Sequence, residues 1–190
     1  MKIINKVLVK RNLLVASLFV TSFEMLKTSI QNRTKAFLCF DSKFNDDGEL
    51  EYEISDDYKE QVLEKVVSKI DRRKFQDYHL FYSSCLWLKE NKIIDDTDIN
   101  ELEKIRKHRN LIAHNPLKLL IDDNTNINVQ LLKKSQELLT KIEKWWIVEY
   151  EIPINPDFDE QEIDVNKVSS GTTIFLDYLM EIVKEEINRK

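Results

Sequence analysis

Glycine occurs only twice in the 190 residues, at Gly48 and Gly171, where an average composition carries about 7%. A Gly-x-Gly-x-x-Gly dinucleotide loop or a Gly-x-x-x-x-Gly-Lys phosphate loop needs closely spaced glycines, so both are excluded. Proline is as scarce, at Pro116, Pro153 and Pro156, and an all-β sandwich asks for turn residues every 8–12 positions or so. The two cysteines, in Phe37-Leu38-Cys39-Phe40 and Ser84-Cys85-Leu86-Trp87, lack CxxC spacing and sit among apolar neighbours. They read as buried thiols, neither a disulfide nor a metal pair. No carboxylate cluster with metal-ligand spacing stands near a histidine, so no metal and no cofactor is expected.

A long apolar run is missing as well. Lys2, Lys6, Lys10 and Arg11 precede Leu13–Val20 in the manner of a leader, yet no small-x-small site follows and Glu24, Lys27, Gln31, Arg33 and Lys35 continue a helical pattern. The run itself is too short to cross a membrane. A cytoplasmic protein with no membrane partner is expected.

What the chain has in quantity is charge and helical periodicity. Charged residues make up 33%, with 29 basic against 34 acidic and a net charge of −5, which disfavours a protein that coats nucleic acid at large. The expectation is an all-α single domain over 1–190, a bundle of about six helices with acidic loops at 41–57 and 151–171. The first helix covers about 13–40. A second begins at Ser55 or Asp56 with Tyr58, Val62, Val66 and Ile70 on one face. The third, about 74–90, buries Phe75, Tyr78, Tyr82, Leu86 and Trp87 or their neighbours and stops at Asn91.

Asp98 and Glu101 have capping-box spacing, so the fourth helix is expected to open near Ile99 and to carry Leu102, Ile105, Arg109 and Ile112 on one side until Pro116 stops it. The segment 117–127 is a short apolar piece plus a turn. The fifth helix, about 128–150, holds Trp145 and Trp146, which point about 100° apart; one belongs in the core and the other at an edge. The sixth, about 172–188, presents Phe175, Leu179, Ile182, Val183 and Ile187.

The chemistry concentrates in Arg106-Lys107-His108-Arg109-Asn110-Leu111-Ile112-Ala113-His114-Asn115-Pro116. His114 falls at a helix terminus, open to solvent or a partner. Lys104, Arg106, Lys107, Arg109 and Lys118 surround it with only Glu103 in opposition, a local basic patch on an acidic protein. An arginine fork suits phosphate oxygens, and an imidazole passes protons near neutrality. Together they supply a base for a 2′-hydroxyl and a cation for charge developing on phosphorus. His108, between Lys107 and Arg109, is expected in solvent, and His79 is expected to be a packing residue. Arg72 and Arg73 precede His79 at a similar spacing, but that histidine lies mid-helix and without the local charge.

The segment Arg109-Asn110-x-x-x-His114 resembles the Arg-polar-x(3–5)-His motif of the HEPN superfamily, in which the residue after the arginine is Asn, Asp or His. The resemblance implies a helical bundle and a metal-independent endoribonuclease of toxin–antitoxin or abortive-infection systems, its site shared by two motif copies across a homodimer. Carried over by position, Arg109 and His114 are the catalytic pair and Asn110 is the supporting polar residue. Arg106, Lys107 and Lys118 would bind the RNA substrate. An antitoxin or another defence protein is the further partner implied. Pro116 stands where one branch carries a tyrosine modified by its antitoxin, so that mode of control is not implied. The alternative is a non-catalytic module that binds RNA, a nucleotide or a partner protein, or a plain interaction domain in which Arg109 pairs with a carboxylate and His114 caps a helix. A five-residue step turns about 140° around a helix. Arg109 and His114 therefore leave one continuous helix on different faces, and a second chain would have to complete the site.

Overall fold

The apolar periodicity is realised as seven α-helices among the described residues, so the chain is all-α in class. The computed structural model describes residues 5–44, 50–54, 57–64, 77–121, 127–159 and 161–189. The helices are α1 (Lys6–Lys27), α2 (Arg33–Cys39), α3 (Asp77–Glu90), α4 (Asp96–His114), α5 (Pro116–Ile121), α6 (Val129–Trp146) and α7 (Gly171–Asn188). The chain divides into two compact units: one is built from Met1–Leu26 and Thr97–Lys190, the other from Lys27–Asp96.

In the first unit, apolar residues at 3–4 residue spacing meet in one core. Leu18, Phe19, Phe23 and Leu26 of α1 are buried with Leu102, Ile105 and Ile112 of α4, Leu132, Leu138, Leu139, Ile142 and Trp146 of α6, and Leu176 of α7. Polar links fix the alignment. Ser22 and Ser135 share a buried hydroxyl hydrogen bond of 2.8 Å, and Lys141 Nζ donates to Asp98 Oδ2 at 2.6 Å. Lys10 and Glu186 form an ion pair between α1 and α7.

Helix ends follow local chemistry. Asn128 caps α6, its side-chain oxygen accepting from the Gln130 and Leu131 amides at 3.0 and 3.1 Å, and Ser170 caps α7 by accepting from the Thr173 amide at 3.0 Å. Asp98 is not a cap: α4 starts earlier, at Asp96, and the Asp98 carboxylate is buried against Lys141 instead. The stop before Pro116 holds, and that proline opens α5. Residues 122–126 lie outside the described residues. Beyond α6 the helix runs on as a π-turn, Ile147–Glu151, and most of the described residues of 151–171 are exposed, single helical turns at Ile152–Ile154 and Pro156–Phe158 included, while Ser170 is buried.

The face expected of the last helix needs correction. Leu176 and Thr173 are the buried residues of α7, whereas Phe175 and Ile182 are exposed. The helix is apolar on both sides, so periodicity does not say which side turns inward.

The second unit contains a π-turn (Thr28–Asn32), α2, a hairpin of β1 (Phe40–Phe44) and β2 (Leu50–Ile54), a π-helical segment (Tyr58–Leu63) and α3. The hairpin is a second correction, since 41–57 was expected to be loop. The strands are antiparallel with Phe40 opposite Ile54, Ser42 opposite Tyr52 and Phe44 opposite Leu50. Leu50-Glu51-Tyr52-Glu53-Ile54 alternates apolar or aromatic residues with acidic ones, the period-2 pattern of a strand, whereas Phe40-Asp41-Ser42-Lys43-Phe44 is apolar only at its ends. Gly48 and the cap residues Ser55 and Asp56 lie outside the described residues, as do Val66, Ile70 and Phe75.

Among the described residues, the buried apolar side chains of this unit are Ile30, Leu38, Tyr58, Val62, Phe81, Cys85, Trp87, Leu88, Ile93 and Ile94. Tyr82, expected inside, is exposed, and Phe81 takes its place one position earlier. Helix α3 ends in a left-handed turn: Lys92 has φ 61°, the Ile93 amide bonds to Leu88 O at 2.9 Å and the Lys92 amide to Lys89 O at 2.9 Å. Both cysteines are free thiols, Cys85 buried and Cys39 partly so.

Residues 6–39 are helical throughout, long and apolar enough by length and composition to cross a membrane, with 44% of the apolar window buried in the fold. The short-run expectation for Leu13–Val20 therefore understates this helix.

Candidate functional site

Helix α4 carries the motif in its last two turns and remains unbroken from Asp96 to His114. The buried stripe Leu102, Ile105 and Ile112 seats it against the core, and this orientation decides where each motif side chain goes. Arg109 continues the stripe and is half-buried, 31% exposed. His114, on another face, is exposed, with no hydrogen bond or ion pair among the described residues. The structure thus brings Arg109 and Asn110 into contact, and His114 follows one turn beyond Asn110 on its side of the helix, about 140° around from Arg109.

Arg109 is tightly held. Its Nη2 donates to Glu24 Oε1 of α1 at 2.5 Å, its Cζ lies 5.6 Å from the centre of the Phe23 ring, and its Nη1 reaches Asn110 Oδ1 at 3.4 Å. Its Nε–H is buried with no acceptor among the described residues, so one donor of the fork is unspent. Glu24 and Phe23 are the functional neighbours the sequence reading missed. They stand 85 residues or so away in sequence, and nothing in their local pattern marks them.

The basic patch is more neutralised than the sequence suggests. Arg106 donates to Glu103 from Nε at 2.8 Å and from Nη2 at 2.9 Å, Lys107 lies 3.4 Å from the same carboxylate, and Lys104 pairs with Glu101 at 2.6 Å. Glu101 and Glu24 join Glu103 in opposition, which corrects the reading of Glu103 as the sole acid. The Arg106 hydrogen bonds outweigh partial burial and, helped by the charges of Arg106 and Lys107, hold the Glu103 carboxyl below the usual carboxylate range. Lys118 at the start of α5 is exposed and has no ion pair among the described residues. The C-terminal end of α4 is the negative end of its dipole. A phosphate at that end would gain nothing from the α4 dipole and would be met by these side chains.

His108 corrects a further expectation. It is half-buried, not solvated: its ring packs edge-on against Phe19 with centroids 4.9 Å apart, and its Nε2 accepts the Asn128 backbone N–H at 2.9 Å. The imidazole that accepts this bond is neutral at Nε2, and burial pushes its pKa below the usual histidine value. It ties α4 to the cap of α6. Because the folded pKa is lowered, the unfolded chain takes up the proton first as pH falls. The stabilisation is complete above the unfolded value near 6.5 and is lost as pH drops toward the folded value. The urea midpoint should therefore fall between pH 7.5 and pH 5.5, and His108→Gln, which keeps an acceptor without titrating, should flatten that slope. An unchanged slope in the variant would remove His108 from the account.

His79 is half-buried in α3, where its carbonyl accepts the Ser83 hydroxyl at 2.6 Å; Arg72 and Arg73 lie outside the described residues. Trp146 is in the core and Trp145 at its edge, the rings 4.8 Å apart at 73°. Among the described residues no group of three or more His, Cys, Asp or Glu is placed to hold a metal ion. Compared with family models, curated proteins and solved structures, the chain matches none.

Proposed function

We propose that this chain is a metal-independent endoribonuclease of HEPN type, cytoplasmic and homodimeric, acting in a toxin–antitoxin or anti-phage setting. The observation that carries the reading is the exposed, unpaired imidazole of His114 at the end of α4, on the same two turns as the half-buried fork of Arg109 and the amide of Asn110. One His114 would take the proton of a 2′-hydroxyl as its oxygen attacks phosphorus. The 5′-oxygen would leave with a proton from the His114 of the second chain, giving a 2′,3′-cyclic phosphate and a 5′-hydroxyl. Arg109 would meet the charge on the phosphoryl oxygens, while Lys107, Lys118 and Arg106 would bind flanking phosphates. The continuity of α4 supports the need for two chains, since Arg109 and His114 diverge by about 140° within one.

The test is cleavage of single-stranded RNA by purified protein in excess EDTA. Products ending in 2′,3′-cyclic phosphate are expected. Activity that appears only on adding a divalent ion would refute the chemistry.

One observation favours a second reading. Glu24 at 2.5 Å and the Phe23 ring occupy much of the Arg109 guanidinium, as they would in a non-catalytic module whose arginine organises the fold and whose basic face binds RNA, a nucleotide or a partner protein.

A further inference from the structure

Helix α7 turns Leu176 into the core and leaves an apolar stripe on its opposite side. Ile174 is 59% exposed, Phe175 51%, Tyr178 59% and Ile182 41%. Together they leave roughly 400–500 Å² of side chain open, at the upper end of what a monomer leaves uncovered. At 100° per residue, Gly171, Ile174, Tyr178, Ile182 and Glu185 fall within one narrow sector. Their spacing is 3, 4, 4, 3, which reads the same in both directions about Tyr178.

We propose that this stripe is the contact face for a second copy of the chain, with two α7 helices packed antiparallel about a twofold axis at Tyr178. A twofold contact must be complementary to itself, and this stripe is. Ile174 lies opposite Ile182 of the partner subunit, Tyr178 meets its own copy, and Gly171 lies opposite Glu185 of the partner subunit.

The pairing also resolves two oddities of α7. The helix has no acidic residue in its first turn and no basic residue in its last, the reverse of what its dipole favours, and Glu181, Glu185 and Glu186 crowd its C-terminal half. Antiparallel packing carries each Glu185 to the positive end of the other helix. Gly171 supports the same geometry. A side chain there would meet nothing within 4 Å in its own chain, so the space above the first turn is open to the incoming carboxylate.

Doubling the stripe gives nearly 1,000 Å², and the surrounding polar residues would bring it to the roughly 1,200 Å² at which stable interfaces begin. Asp177 and Glu181 form an acidic edge that approaches its own copy, which keeps the contact at the weak, micromolar end.

This contact is distinct from the shared cleft of the proposed ribonuclease. The C-terminal end of α7 lies at the motif's end of the first unit: Asn188 lines one groove with Val129, and the neighbouring Asn128 amide is bound to His108. That end is about 15 Å along the helix from Tyr178, so the antiparallel pair sends the two His114 ends away from each other. The ribonuclease reading therefore stands or falls separately, on RNA cleavage.

Sedimentation of the full chain should show association through α7 at tens of micromolar, as a dimer where α7 is the sole contact and as a larger species where the His114 cleft is shared as well. Tyr178→Glu or Ile174→Glu should raise its dissociation constant at least tenfold, and Glu185→Lys severalfold, with helical circular dichroism unchanged because all three side chains are solvent-facing. Register is tested by a short bis-maleimide against the wild-type thiol background. Tyr178→Cys should cross-link to itself; Ile174→Cys should link efficiently only when mixed with Ile182→Cys. A wild type that stays monomeric at about 100 μM, a dimer indifferent to Tyr178→Glu and Ile174→Glu, or equal cross-linking from every position would each overturn the proposal.

Discussion

His114→Ala is expected to slow RNA cleavage by about 10²-fold or more while leaving the melting temperature and RNA affinity close to wild type. The side chain is exposed at the end of α4 and has no bond to lose among the described residues. Its removal deletes a proton carrier and little else. Arg109 should behave differently. Arg109→Lys keeps the charge, loses the fork, and abandons the geometry that meets Glu24, so both turnover and stability should fall. Glu24→Gln separates the two readings of the site. In a nuclease, Glu24 competes with phosphate for the guanidinium, and its neutralisation should tighten RNA binding severalfold. In a module where the pair only organises the fold, Glu24→Gln should lower the melting temperature and change nothing else, and His114→Ala should be silent.

Leu139→Ala is expected to cost about 3 kcal/mol, within the 2–5 kcal/mol range for deleting a buried leucine. Leu139 is fully buried in α6, in the core that also holds Ile105 and Leu176. The midpoint of urea unfolding reports it. A loss below about 1 kcal/mol would mean that the first unit closes around the cavity far better than a packed core does.

The sequence announced those elements whose signals are local. Pro116 stops α4, α6 opens within a residue of the expected 128, and the spacing of Leu102, Ile105 and Ile112 identifies the buried side of α4. The hairpin was hidden because Phe40–Phe44 is apolar only at its ends, and in Leu50–Ile54 the alternating polar residues are Glu51 and Glu53, which read as part of an acidic loop. The inward side of α7 was illegible for a different reason: Leu176 and Ile174 are equally apolar, and only packing chooses between them. At the site, exposure of His114 followed from a helix stop. The partners of Arg109 and His108 did not, because Glu24 and Asn128 reach them through tertiary structure, 85 and 20 residues away.

The division of the first unit across the chain bears on how the protein is made. Helix α1 must wait for α4, α6 and α7, which are synthesised only after the intervening 27–96 unit. At 5–20 residues per second, the roughly 70 intervening residues take about 4–14 s. Through that interval Phe19, Phe23 and Leu26 have none of their eventual neighbours from the later helices. The Lys10–Glu186 pair, spanning 176 residues, forms only after α7 has been synthesised. Early termination within α7 would therefore release a chain whose first helix lacks part of its cover, a substrate for chaperones or proteases and not a shortened version of the fold.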